Sequence, residues 1–330
     1  MKYVYLSKMS DNNYDSLAPK LKMIDLFAGT GAFSYAFEKT GKVECVYAND
    51  MCAESKEIYD LNHNIQLTLG DLNDIDVTTI PTHDILCGGF PCQPFSIAGA
   101  QKGFNDSRSN VFWKILEIIQ HHSPRIVLLE NVKNLKSHDK GNTFKTIYDE
   151  LSKLGYHIKY EVLNTCEVSS VPQNRERIYI ACFRDLNDHN SFSFQFNSPQ
   201  RRKISDCLEK NVSKNYYYSI KFKVWPEIEK SVTKLVTDDV IYQYRRYYVR
   251  ENTSGVCPTL TANMGSGGHN VPLIKESAGI RKLTPRECFN LQGFPQSYQL
   301  PDCSDSKLYK LAGNAVSVPV VEAIANNIIQ

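Results

Sequence analysis

Lys22-Met23-Ile24-Asp25-Leu26-Phe27-Ala28-Gly29-Thr30-Gly31 is the stretch on which the fold turns. Its first six residues read as a buried strand, and the glycines close that strand into a tight turn. Ala32 to Lys39 then reads as a helix that stops near Gly41. Strand, glycine turn and helix in this order leave backbone N–H groups and a helix N-terminus facing a ligand, the arrangement of a nucleotide cradle. The G-x-G-x-x-G pattern is incomplete, because Ser34 stands in place of the third glycine. That counts against a dinucleotide pyrophosphate and leaves a nucleoside open. A tight strand-to-helix turn with no ligand also fits the stretch taken alone.

Further strands follow at regular spacing. Val43 to Ala48 is the second candidate, ending at Asn49-Asp50. An acid about 20 residues past the glycines is placed to take ribose hydroxyls; the other reading is an N-cap for a helix over Ala53–Leu61. Gln66 to Leu69 gives a third strand, ending at Gly70-Asp71. The fourth, Ile85-Leu86-Cys87, leaves through Gly88-Gly89-Phe90-Pro91-Cys92-Gln93-Pro94-Phe95-Ser96. Two glycines and two prolines make a stiff, non-helical corner that holds Cys92 at a sheet edge, as a nucleophile or as a small buried apolar group. Residues 97–110 form a polar loop of the kind that serves as a lid. A helix over Val111–Gln120 precedes the fifth strand, Arg125–Leu129, which runs into Glu130-Asn131-Val132. Each of the five strands ends in a Gly, Asp, Cys or Glu, and ligands of open α/β sheets bind outside the carboxyl ends of the strands. We therefore expect an α/β fold: a Rossmann-like, mostly parallel sheet with helices on both faces.

Beyond a helix over Thr143–Leu154, two more strands, Tyr156–Leu163 and Arg177–Phe183, are joined through Pro172-Gln173-Asn174-Arg175-Glu176-Arg177. Arg175 and Arg177, two apart in extended chain, should point the same way and suit a carboxylate or a phosphate; surface arginines at a strand start are the alternative. Composition shifts near residue 185. Ile241 to Arg250 interleaves three arginines with four tyrosines, which reads as one strand with a cationic aromatic face for phosphates and bases, or as a tyrosine-rich sheet surface. Thr259 leads into a glycine loop holding Gly267 and Gly268, and 201–307 reads as a smaller, mainly β module. Leu283-Thr284-Pro285-Arg286-Glu287 is a helix start, and Ala315 to Ile328 reads as one helix returning to the first domain.

The 330 residues suffice for a full core, and with a net charge of only +2 any nucleic-acid site must come from local clustering. The ten cysteines contain no C-x-x-C pair, so we expect reduced thiols in a cytoplasmic protein and no metal site. No apolar run approaches the roughly 20 residues that span a membrane, and residues 1–20 are polar without a signal-peptide core.

Taken in order, these motifs resemble those of the DNA (cytosine-5)-methyltransferases of bacterial restriction-modification systems. Asp25 to Gly31 is similar to the family's cofactor turn, Phe90-Pro91-Cys92-Gln93 to its nucleophile motif, and Glu130-Asn131-Val132 to its catalytic glutamate motif. Gln173 to Arg177 is similar to the paired-arginine motif, while Arg281–Glu287, Gln292-Gly293-Phe294-Pro295 and Gly313-Asn314-Ala315-Val316 resemble the late motifs. The resemblance implies S-adenosyl-L-methionine as cofactor, held by Phe27, Ala28, Gly29, Thr30, Gly31, Asp50, Met51, Asp71, Leu72, Pro91, Asn314 and Ala315. It implies catalysis by Cys92, Glu130, Arg175 and Arg177, with the base flipped out of double-stranded DNA. DNA contacts are expected at Ser96, Arg108, Arg245, Arg246, Thr259, Gly267 and Gly268. Residues 1–200 and 308–330 would form the catalytic domain and 201–307 the target-recognition domain of a monomer, a cognate restriction endonuclease acting separately. Asp50 departs from the glutamate of many members by one methylene, and Met51 stands where some carry an aromatic. The alternatives are a tRNA cytosine-5 methyltransferase and a non-catalytic nucleic-acid-binding module. A nicotinamide-dependent oxidoreductase is opposed by Ser34 and by the cysteine corner.

Overall fold

A computed structural model of the chain describes residues 19–91, 111–197, 199–245, 247–266 and 271–329. Seven strands form the main sheet, in the order β3-β2-β1-β4-β5-β7-β6. β1 (Leu21–Leu26) lies parallel between β2 (Val43–Asp50) and β4 (Ile85–Gly89). β3 (Thr68–Leu69) adds to the β2 edge and β5 (Ile126–Val132) to the β4 edge, both parallel. β7 (Glu176–Phe183) runs antiparallel to both of its neighbours, β5 and β6 (His157–Asn164). The third strand is shorter than the sequence suggests, pairing only at Thr68 and Leu69.

The central strands are continuous apolar runs because both faces are covered. On one face α1 (Ala32–Glu38) and α8 (Val318–Ile328) bury Phe33, Phe37, Val321 and Ile324 against Met23, Cys87 and Leu128. On the other, α3 (Val111–His122) and α4 (Asn142–Lys153) bury Ile115, Ile119 and Ile147 against Ile24, Leu86 and Leu129. Neighbouring residues such as Met23 and Ile24 face opposite cores, as the two-residue period of a strand requires. The chain moves outward from β1 to β2 on one side and crosses to β4 on the other, so a crevice opens at the carboxyl ends of β1 and β4. No helix among the described residues is long and apolar enough to cross a membrane.

A four-stranded antiparallel sheet, ordered β11-β10-β8-β9, forms a second layer. Its strands are β8 (Ile241–Arg245), β9 (Tyr248–Asn252), β10 (Leu273–Glu276) and β11 (Gly279–Lys282). The single strand expected over Ile241–Arg250 is instead a hairpin, with Arg245 opposite Tyr248. Arginines and tyrosines occupy both arms, so composition alone conceals the reversal. Tyr242 is buried and Tyr244 partly so, both packing with Ile228 of α5 (Trp225–Ser231) rather than lining a cationic face.

α6 (Pro285–Leu291) starts at Thr284 with a capping box to Glu287. Arg281 is fully buried and bonds both Glu287 oxygens and both Glu276 oxygens, which satisfies a charge that water cannot reach. The helix expected over Ala315–Ile328 is present but starts later, at Val318. α7 (Asp305–Asn314) ends before it, Ala315 to Ser317 are non-helical, and α8 begins afresh. Pro319 explains the break: it has no N–H to continue a ladder and suits the first turn of a new helix.

Candidate active site

The glycine turn is held in a conformation that few residues tolerate. Phe27, Gly29 and Gly31 have φ of 55°, 54° and 67°, all left-handed. Asp50, at the end of β2, fixes the turn from the side: Oδ2 accepts from Gly29 N at 2.9 Å and Oδ1 from Cys52 N at 2.8 Å. Cys52 therefore caps α2 (Ala53–Asn62), while Asp50 ties the turn to that helix. Beneath the turn lies Asp25, wholly buried, whose Oδ2 accepts from Ser34 Oγ at 2.7 Å and Ser34 N at 3.1 Å. Burial pushes this carboxyl up to about 6, with the Ser34 donors pulling the other way. The residue in place of the third glycine thus satisfies one oxygen of a buried acid, and Tyr59 continues the network 2.9 Å from Ser34 Oγ.

A cleft of about 420 Å³ opens at the strand ends. Of the residues expected at a cofactor, Phe27, Ala28, Gly29, Thr30, Asp50, Pro91, Asn314 and Ala315 line it. Gly31, Met51, Asp71 and Leu72 are not part of its wall. Gly31 serves the turn, where an added Cβ would fall 2.1 Å from His63. Met51 points outward at 72% exposure. Asp71 turns its carboxylate back on Asn73 N, and Leu72 is buried in the core with Phe112 and Ile115. Sequence reading missed Phe33, Cys52, Glu54, Lys307 and Lys310, which also line the cleft. Lys307 and Glu54 form an ion pair of 3.0 Å between α7 and α2. The helical spacing of Lys307, Lys310, Leu311 and Asn314 was the available signal for a cleft-facing side of α7.

Glu130 sits at the inner end of the cleft, buried, with Oε1 3.1 Å from Arg177 Nε. Burial raises its carboxyl above the ordinary carboxylate range, while Arg177 and Arg175 hold it down. Gly89 stands directly opposite in the β4–β5 register, and an added Cβ there would come 3.4 Å from Glu130 Oε2. Asn131 Nδ2 donates to Phe90 O at 2.8 Å, pinning the chain as it enters the cysteine corner. Cys92 lies outside the described residues, as do Ser96, Arg108, the rest of the 97–110 loop, Arg246, Gly267 and Gly268.

Arg175 and Arg177 both line the cleft with Glu130, but Arg175 is anchored differently. It precedes β7, and its buried guanidinium donates to three carbonyls: Leu260 at 3.0 Å, Gly313 at 3.2 Å and Ala315 at 2.7 Å. Burial lowers it to about 9. Its contribution to the cleft is therefore to fix the wall and its field. Gln173 and Gln292 extend this stitching, with Gln173 Nε2 3.0 Å from Gln292 Oε1 and Gln292 Nε2 2.6 Å from Ala312 O. Arg245 and Thr259 lie apart from the cleft, on a polar groove of about 440 Å³ that also contains Asn174.

This is the architecture of an α/β enzyme that holds a nucleoside-sized ligand against a second substrate. Comparison with known proteins narrows it. The signature of the C-5 cytosine-specific DNA methylases matches residues 21–330. Type II methyltransferase M.Bsp6I of Bacillus sp. (strain RFL6) is 47% identical over 312 residues, spanning 93% of this chain and 98% of that protein. Type II methyltransferase M.HhaI of Haemophilus parahaemolyticus is 39% identical over 321 residues, spanning 93% and 94%. The chain belongs to the C-5 cytosine-specific DNA methylase family. Among solved structures, the S. pombe Dnmt2 methyltransferase superposes with a TM-score of 0.71 at 20% identity, over 94% of this chain and 98% of that one. At that identity the likeness speaks for the fold alone.

Proposed function

We propose that this protein transfers a methyl group from S-adenosylmethionine to C5 of a particular cytosine in double-stranded DNA, as the modification enzyme of a bacterial restriction-modification system. The observation that carries the reading is Glu130, buried beside Arg177 and directly across from the strand that leads into Cys92. The residues present fit the cofactor. The cleft has the volume of a small-ligand pocket, and the Asp50 carboxylate, held by donors that include Gly29, Cys52 and Ser55, stands at its wall where ribose hydroxyls would come. Phe27 to Thr30, Asp50, Asn314 and Ala315 would hold it; when bound it supplies an electrophilic methyl.

The protein's task is to make C5 nucleophilic. The Cys92 thiolate adds to C6, and the electron pair displaced from the C5–C6 bond is drawn towards N3. Glu130, whose burial favours the protonated form against the pull of Arg177 and Arg175, donates to N3 as that charge arrives. Arg177 holds Glu130 in place and has further N–H groups for the base oxygen. With C5 alkylated, loss of the C5 proton to water lets the C6–sulfur bond break and restores the thiolate, and N3 returns its proton to Glu130. The target base reaches these groups only after leaving the duplex stack. We assign target recognition to residues 201–307, and take the enzyme to act in the cytoplasm as a monomer, its cognate endonuclease separate.

The test is a covalent trap. Bisulfite sequencing of DNA from expressing cells identifies the methylated site, and a duplex carrying 5-fluorocytosine there should form an adduct that survives denaturing electrophoresis. Cys92→Ser should form none. Methylation of the normal duplex without adduct on the fluorinated one would refute the addition mechanism.

A further inference from the structure

The hairpin β8–β9 has two unlike faces. Its register sets Gln243 against Arg250 and Arg245 against Tyr248, so these four side chains share one face. Tyr242, Tyr244 and Val249 share the other, which is closed against Ile228 and Leu273. The open face forms one wall of the polar groove, where Gln243, Arg245, Arg250 and Asn252 confront Asn174 and Thr259. A two-stranded ribbon is one of the elements that the major groove of DNA admits.

Gln243, Arg245 and Arg250 turn donors to the groove, while the Asn252 amide donates to Ile241 O within the hairpin. Gln243 is 8% exposed, and its Oε1 accepts from Arg245 Nη2 at 3.2 Å, which leaves the amide hydrogens to donate. Arg250 is exposed directly opposite, and its guanidinium has no partner among the described residues. In the major groove guanine alone presents two acceptors, O6 and N7, whereas adenine and cytosine present an amino group that would face these donors unpaired. The groove is stitched to the catalytic strand: Thr259 Oγ1 donates to Asn174 O at 2.7 Å and Asn174 N to Cys257 O at 2.8 Å, one residue before Arg175. A base read here lies in a fixed relation to the cleft.

We propose that Arg250 reads a guanine of the recognised site through O6 and N7, with Gln243, oriented by Arg245, excluding bases that present a donor. The inference rests on the DNA methyltransferase reading above and names a determinant of its sequence choice.

The experiment compares wild type, Arg250→Ala and Arg250→Lys by equilibrium binding to duplexes bearing the methylated site. Each guanine is replaced in turn by 7-deazaguanine, which lacks the N7 acceptor. At one position the replacement should weaken wild-type binding about tenfold. Arg250→Ala should bind the natural site about as weakly, ignore the replacement there, and methylate sites altered at that base pair. Arg250→Lys keeps the charge without the fork; it should retain the wild-type salt dependence yet lose the response to 7-deazaguanine. Unchanged S-adenosylhomocysteine affinity shows that a variant is folded, and if Arg250→Ala fails that check Arg250→Lys carries the comparison. A variant that responds to every replaced guanine as wild type does, or a wild type indifferent to all of them, overturns the inference while methyl transfer stands. A wild type that methylates no DNA overturns the functional reading itself.

Discussion

Arg177 grips the Glu130 carboxylate diagonally across two antiparallel strands, Nε to Oε1 at 3.1 Å, from a position facing Val132. A cation and an acid that must carry a proton are thus neighbours, and the two influences on that proton oppose each other. Burial favours the protonated acid and Arg177 the carboxylate.

Removing the cation should therefore extend Glu130 protonation to higher pH. In Arg177→Gln the alkaline limb of the single-turnover rate should move upward, while the maximal rate falls about 10- to 100-fold because the acid loses its orientation. Glu130→Gln should lower the rate by about 10² to 10⁴ at every pH with duplex binding preserved. A pH–rate profile for both variants checks this; an unshifted alkaline limb in Arg177→Gln would show that Glu130 does not set it.

Asp50 holds the glycine turn and, on the proposed reading, the cofactor as well. Asp50→Ala should weaken S-adenosylhomocysteine binding by about 10- to 100-fold, the value of one or two hydrogen bonds to a charged group. Duplex binding without cofactor should be unchanged. Calorimetry and a gel-shift titration read the two quantities separately.

Arg175 predicts a loss of stability first and of activity second. Lysine there cannot reach the carbonyls of Leu260, Gly313 and Ala315 together, so at least one is left unpaired in the interior. Arg175→Lys should cost about 2–4 kcal/mol and lower the melting temperature by several degrees. A change below about 1 kcal/mol in chemical denaturation would mean that those bonds are replaced by water.

Asp25 makes stability depend on pH with an unusual sign. Its folded-state carboxyl titrates at about 6 against an ordinary value of 3.8, so the folded chain holds a proton that the unfolded chain releases. The group costs nothing below about pH 4, and destabilises progressively as pH rises to 6, by about 3 kcal/mol in all. Asparagine does not titrate. The difference in unfolding free energy between Asp25→Asn and wild type should therefore rise in favour of the variant from pH 4 to 6 and level off above. A flat difference across that window would show that Asp25 is ionised throughout.

The sheet was legible because its strands are apolar on both sides and each ends in a residue that disrupts or polarises the chain. Leu86-Cys87-Gly88-Gly89 and Leu128-Leu129-Glu130 carry that signal within a few residues. Arg175 and Arg177 both line the cleft with Glu130, but the carbonyls that hold Arg175, those of Leu260, Gly313 and Ala315, come from segments far along the chain, which no local pattern reports. The hairpin was misread because arginines and tyrosines occupy both arms and no glycine marks its turn. The later start of α8 could have been read from Pro319. Cys52, Glu54 and Lys307 come together through the packing of α2 against α7, which no local pattern reports.

The wall of the cleft formed by Lys307 to Val316 comes late in the chain, long after the glycine turn that it faces. Until that segment has been synthesised, one side of the chamber is missing and Arg175 lacks two of its three acceptors. A polypeptide cut off before it should for that reason be inert, with every strand of the main sheet already made.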